Sequence, residues 1–60
     1  MLATERKEKI MSLLKEQRTA TLEELSTITQ ASVSTLRRDL NELEEENALR
    51  RVHGGAELQQ

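Results

Sequence analysis

Apolar residues along the chain recur in three helical stripes and then change to the rhythm of strands. Ile10, Leu13 and Leu14 keep the three-and-four spacing that lines one face of a helix, with Lys7, Glu8, Lys9, Lys15 and Glu16 largely on other faces. Thr4 is the expected N-cap of this first helix. The stripe breaks after Glu16, and the small and β-branched run Thr19-Ala20-Thr21 favours a short extended piece at 19–21. Thr21-Leu22-Glu23-Glu24 has the form of a capping box. The Thr21 hydroxyl accepts from the Glu24 N–H while the Glu24 carboxylate reaches back to the backbone. Leu22, Leu25 and Ile28 supply the buried side of a short second helix ending near Thr29.

Ser32 is placed to cap a third helix over 33–46, in which Val33, Leu36, Leu40 and Leu43 share one side at about 100° per residue. Asn47 tolerates the left-handed conformation that ends such a helix. Gln30 would carry strain if the connecting turn needed that conformation there. Two short helices joined by so few residues trace a helix-turn-helix. Leu49-Arg50-Arg51-Val52 then reads as extended, His53-Gly54-Gly55 as a turn needing positive φ, and Ala56-Glu57-Leu58 as the returning strand. A hairpin alone is marginal, so Leu49, Val52 and Leu58 are expected to pack on the helices. The predicted architecture is mainly α (α+β). It is a winged helix-turn-helix, three helices followed by a β-hairpin wing at 49–58, with 19–21 as a third, minor strand.

Composition narrows the picture. Sixty residues make one domain, 1–60, and a chain of this size buries only ~60% of its unfolded surface. Cysteine is absent and His53 is the one histidine, so neither disulfides nor a metal site is expected to staple the fold. There is no nucleophile–base pair and no phosphate loop, so the chain does not read as an enzyme and no cofactor is expected. No apolar run reaches the length of a membrane span, and the first eight residues turn charged at once, without the apolar core of a signal peptide. The expected compartment is the cytoplasm.

The formal charge of −2 counts against nucleic acid, because phosphate contacts need Lys and Arg. Distribution offsets it in part. Arg37-Arg38 and Arg50-Arg51 form two tight pairs, whereas Glu42, Glu44, Glu45 and Glu46 crowd one stretch. If the leucines of the third helix face inward, Ser34, Arg38 and Asn41 lie furthest from them, flanked by Thr35 and Arg37. Arg can bridge guanine O6 and N7, Asn can bridge adenine, and Ser or Thr can donate to phosphate. The free N–H groups near Ser32 favour a phosphate as well. The same spacing fits a solvated face in which Arg38 pairs with Glu42 and Arg37 lies beside Asn41, each four residues on. Residue types alone leave these two readings balanced.

The sequence here resembles the DeoR family of bacterial repressors. The matching pieces are Glu5-Arg6 ahead of Ile10, Leu22-Glu23-Glu24-Leu25, Ser32-Val33-Ser34-Thr35-Leu36-Arg37-Arg38-Asp39-Leu40, and Arg51-Val52-His53-Gly54-Gly55-Ala56. They cover nearly the whole chain, in order. Ala31 stands where the family usually has Val, Gln30 where Gly or Asn is common, and Asn47 in place of a usual Gly.

The resemblance implies a sequence-specific duplex DNA-binding domain of a bacterial transcription regulator, a repressor of a sugar-utilisation operon. It implies that 33–46 reads the major groove and that the wing contacts the flanking backbone. The DNA-contacting set is then Ser32, Ser34, Thr35, Arg37, Arg38, Asn41, Arg51, His53 and Gly54. Arg51 is expected on the flanking phosphates and His53 on a phosphate or the adjacent minor groove, although a tip histidine is also a common turn residue. Asp39 is expected to brace an arginine by an ion pair, since an acid near phosphate would repel it.

The chain, starting at Met1 and stopping after the wing, reads as the isolated N-terminal segment of a longer regulator. A C-terminal domain similar to sugar-phosphate isomerases would sense a phosphorylated sugar and mediate oligomerisation, leaving this piece monomeric. The alternative is a winged-helix protein-interaction module without DNA binding.

Overall fold

Each helix begins at a hydrogen bond between a side chain and the backbone at its start. In the computed structural model, which describes residues 2–59, these starts produce α1 (Ala3–Gln17), α2 (Leu22–Thr29) and α3 (Val33–Glu45). The intervening and following strands are β1 (Thr19–Thr21), β2 (Leu49–Val52) and β3 (Gly55–Leu58). Thr21 and Glu24 form the expected reciprocal box. The Glu24 N–H donates to Thr21 Oγ1 at 3.0 Å and the Thr21 N–H to Glu24 Oε1 at 2.9 Å. Ser32 caps α3 by accepting from the Thr35 N–H at 3.2 Å. Thr4 does not cap α1. The Glu5 carboxylate accepts from the Leu2 N–H at 2.9 Å, which starts the helix earlier and leaves Thr4 inside its first turn.

All three helices end on a non-glycine residue with positive φ: Arg18 at 70°, Gln30 at 58° and Asn47 at 61°. At the end of α3 the Asn47 N–H donates to the Glu44 carbonyl and the Ala48 N–H to that of Leu43, a complete Schellman motif. Gln30 is left-handed, as its position threatened, and it turns the chain from α2 into α3 within three residues. Side chains support that turn. Ser26 Oγ donates to the Ala31 carbonyl at 2.9 Å, and buried Thr29 donates to the Leu25 carbonyl at 2.7 Å.

The strands form one antiparallel sheet in the order β1-β3-β2, so the returning strand of the wing lies in the middle. Pairing of Ala20 with Ala56 and of Thr21 with Gly55 ties the wing back to the residues preceding α2. Gly55 is needed for that approach. A Cβ there would fall 2.1 Å from the Ala20 carbonyl oxygen. The positive φ of the turn is confined to Gly54, at 79°. The Gly54 carbonyl accepts from the Leu22 N–H at 2.9 Å, which fastens the wing tip to the first turn of α2.

Ile10 and Leu14 from α1, Leu25 from α2, Leu36, Leu40 and Leu43 from α3, and Ala20, Leu49 and Ala56 from the sheet make the core. Two residues expected inside are not there. Val33 is 44% exposed, because it occupies the outermost turn of α3, ahead of the buried run that starts at Leu36. Val52 is 40% exposed, because strand alternation that buries Leu49 sends Arg50 and Val52 to the outer face.

Gly55→Ala is expected to separate β1 from β3 and abolish a cooperative thermal transition near the wild-type temperature. Gly54→Ala, with open space around its Cβ and only the φ cost, should retain one. In the opposite direction, Gln30→Gly should raise stability by about 1 kcal/mol in denaturant titrations by relieving left-handed strain.

Candidate nucleic-acid interface

The outer side of α3 presents Ser34, Arg37, Arg38 and Asn41 to solvent, with Thr35 half-buried beside them. What holds this side outward is an ion pair on the inner side. Arg6 of α1 donates to Asp39 of α3 through Nε at 2.6 Å and through Nη2 at 3.2 Å, a two-pronged contact. Asp39 is 1% exposed, and the pair raises the Arg6 guanidinium above its already high ordinary value, chiefly through the side-chain hydrogen bond. The expected brace therefore exists. Its arginine comes from α1 and not from the adjacent Arg37 or Arg38.

The same helix pair carries a second tie. Lys7 Nζ lies 2.6 Å from Glu42 Oε1, and this hydrogen bond raises the lysine above its usual range. Glu42 is the acid that could have paired with Arg38. With Asp39 and Glu42 both engaged by α1, neither Arg37 nor Arg38 takes part in an ion pair among the described residues. At the start of the helix Ser32 Oγ donates to Thr35 Oγ1 at 3.0 Å, which leaves the Thr35 hydroxyl proton for an outside acceptor.

The wing arginines behave differently from each other. Arg50 is exposed and spans to Glu57 on the neighbouring strand, its Nε donating at 2.8 Å to Oε1. Arg51 is half-buried and lies against α3. Its N–H donates to Glu44 Oε2 at 3.0 Å and its Nη1 to Asn41 Oδ1 at 2.6 Å, while its Nε is buried without a hydrogen-bond partner among the described residues. His53 and Gly54 are exposed at the wing tip. The structure thus gathers Ser32, Ser34, Thr35, Arg37 and Arg38 on the first two turns of α3. It joins Asn41 to Arg51 and sets His53 and Gly54 apart at the tip.

Capping of α2 also leaves a mark on acid strength. Glu24 is held below the ordinary carboxylate range by the Thr21 backbone N–H first and the Gln17 amide second. Reading the sequence missed Arg6 and Lys7 as partners of α3. Arg6 lies four residues before Ile10 and eight before Leu14, on the inner face of α1, and that spacing is the signal that could have found it.

A three-helix core with a freshly capped third helix, outward arginines and a three-stranded wing defines a winged helix-turn-helix. Residues 6–60 match the family model described as the DeoR-like helix-turn-helix domain, and the chain belongs to that family. It is a DNA-binding domain of a transcription regulator and not an enzyme.

Over 58 residues, 97% of this chain, it is 47% identical to the HTH-type transcriptional regulator GolR of Listeria innocua. The same identity and coverage hold for the glycerol-3-phosphate regulon repressor of Escherichia coli. A putative galactitol utilization operon repressor of Escherichia coli is 41% identical over 93% of the chain. The chain spans 23% of the first two relatives and 50% of the third. No solved structure matches. Among the described residues, no helix is long and apolar enough to cross a membrane.

Asp39→Ala removes one partner of the buried pair and should cost on the order of 3 kcal/mol in equilibrium unfolding. A wild-type transition in that variant would mean that the ion pair does not hold α3 to α1.

Proposed function

We propose that α3 enters the major groove of an operator, with Arg38 and Arg37 toward base edges and Ser32, Ser34 and Thr35 toward the phosphates at the helix start. The observation that carries this reading is that both arginines take part in no ion pair among the described residues, while the acids nearest them, Asp39 and Glu42, are engaged by Arg6 and Lys7 of α1. Arginine is the side chain best suited to a bidentate contact with guanine O6 and N7. The N–H groups at the start of α3 add a fixed positive end for phosphate. His53 and Gly54 meet the flanking backbone from the wing tip, and Asn41 and Arg51 occupy the join between wing and helix.

The chain is, in this reading, the DNA-reading part, residues 1–60, of a longer repressor of a carbohydrate-utilisation operon acting in the cytoplasm. Two relatives, a glycerol-3-phosphate regulon repressor and a putative galactitol utilization operon repressor, support a carbohydrate-linked target. A phosphorylated sugar would bind a region outside this chain, which would also pair the subunits. The chain by itself would be monomeric.

The test is titration of labelled duplex at low and moderate salt, followed by selection of preferred sites from a random pool. Wild type should show salt-sensitive affinity and enrich a motif. Arg38→Ala should lose roughly 1–3 kcal/mol of specific binding and relax the preference at one base pair. Undiminished operator binding by that variant would discard this orientation of α3. A folded domain with no salt-sensitive affinity for any duplex would instead favour a protein-docking role.

A further inference from the structure

Asn41 and Arg51 belong to different elements, α3 and β2, and meet through one hydrogen bond: Nη1 of Arg51 donates to Oδ1 of Asn41 at 2.6 Å. The arginine is tied to α3 a second time, through its backbone. Its own N–H donates to Glu44 Oε2 at 3.0 Å, and its Nε is turned into the protein with no access to solvent. Glu44 stands three residues beyond Asn41, so α3 holds both the arginine's backbone and its head. A guanidinium seated in this way is not a free arm for phosphate.

The consequence falls on Asn41. A side-chain amide carries its acceptor oxygen and its donor NH2 group in one plane, pointing about 120° apart. With Oδ1 directed at Arg51, the Nδ2 group points away from the wing arginine. No hydrogen bond engages it among the described residues, and Asn41 is exposed on the outer side of α3. We propose that Arg51 is a positioning residue for base recognition, which locks the Asn41 amide with its donor edge outward and thereby sets which base this position accepts.

A locked donor edge favours guanine, which offers O6 and N7, or thymine, which offers O4, over adenine, whose one acceptor N7 lies beside an amino group that the edge opposes. It disfavours the two-point contact with adenine, in which Oδ1 must accept from the N6 amino group, and it opposes the amino group of cytosine. Arg51 thus acts on specificity without touching DNA. The inference rests on the major-groove orientation of α3 proposed above.

The experiment is selection from a random duplex pool with wild type, Asn41→Ala, Arg51→Ala, Arg51→Lys and Asn41→Asp, each first checked for a cooperative melt. Asn41→Ala should flatten the preference at one operator position, where wild type prefers guanine or thymine. Arg51→Ala should change that same position and no other, shifting it toward adenine by roughly 5- to 150-fold. A double variant carrying Asn41→Ala and Arg51→Ala, selected in the same way, should add nothing to Asn41→Ala there. Arg51→Lys, which keeps a donor for Oδ1, should restore part of the wild-type preference. Asn41→Asp keeps the Arg51 contact and replaces the donor edge by an acceptor, so it should lose the guanine or thymine preference without unfolding.

Several outcomes would overturn the proposal. An Arg51→Ala profile that weakens all sequences alike, with the motif unchanged, would make Arg51 a phosphate contact and end the positioning role while leaving the DNA reading intact. An Asn41→Ala profile identical to wild type would end it too. If wild type enriched no motif at all, the DNA-reading proposal would fall together with it.

Discussion

The position of α3 depends on the contact between Arg6 and Asp39. Leu36, Leu40 and Leu43 supply the apolar burial that presses α3 onto the core, but apolar contact is non-directional and tolerates small rotations of a helix about its axis. A two-pronged arginine–carboxylate pair does not. Desolvating the Asp39 carboxylate is costly unless its partner is held in good geometry, so rotations that break the pair are excluded by more than the pair contributes to net stability. Arg37 and Arg38 lie immediately before Asp39 in sequence. Turning Asp39 toward α1 therefore fixes where they can point, Arg38 at about 100° and Arg37 at about 200° around the helix from the buried acid. Lys7 and Glu42 repeat the tie one turn along α3. Recognition residues are aimed by a bond on the far side of their own helix.

A second constraint governs the wing. The small core has no aromatic residue, and a two-stranded hairpin would not persist beside it unaided. Placing β3 between β1 and β2 converts the hairpin into a three-stranded sheet whose first strand leads directly into α2. The Gly54 carbonyl then bonds the first turn of α2, and the Leu58 N–H bonds the Arg18 carbonyl at the end of α1. Both ends of the returning strand are thus tied to helix termini. The positive φ of Arg18 belongs to this arrangement, since the residue that ends α1 is the one whose carbonyl receives β3.

The parts legible in the sequence were those decided within a few residues. The capping box at Thr21, the Ser32 cap and the Asn47 terminus all follow from local hydrogen bonding and backbone sterics, and the strand at 19–21 follows from β-branched residues although its pairing partner, β3, is distant in sequence. Thr4 misled because two side chains competed for one helix start and the longer carboxylate of Glu5 reached further back. Val33 and Val52 misled for a different reason. A periodic stripe marks a face of an element, but not how far along that element the core extends. Gly55 was assigned to turn conformation, whereas its cause is a strand 35 residues earlier in sequence, at Ala20. Of the candidate site, the outward set on α3 was legible from its leucine stripe. The partners that orient it, Arg6, Lys7 and Arg51, were not, since they come from other elements and only packing brings them together.

That distinction also bears on the net charge of −2, which spoke against a polyanion as partner. Glu5 and Glu24 accept from backbone N–H groups at helix starts, Glu44 accepts from the backbone of Arg51, and Asp39, Glu42 and Glu57 sit in ion pairs. Six of the eleven acids are therefore committed to holding the fold. The segments that would face DNA, 25–38 and 47–56, contain no acid at all and four arginines, of which Arg50 is matched by Glu57. A duplex senses charge over roughly a Debye length, about 8 Å at physiological ionic strength, and not over the whole molecule. Acid elsewhere on the surface lowers long-range attraction and with it indiscriminate binding, while these two acid-free segments keep the local field positive. For a domain that must distinguish one site among many, an acidic total with a basic edge favours selectivity over grip.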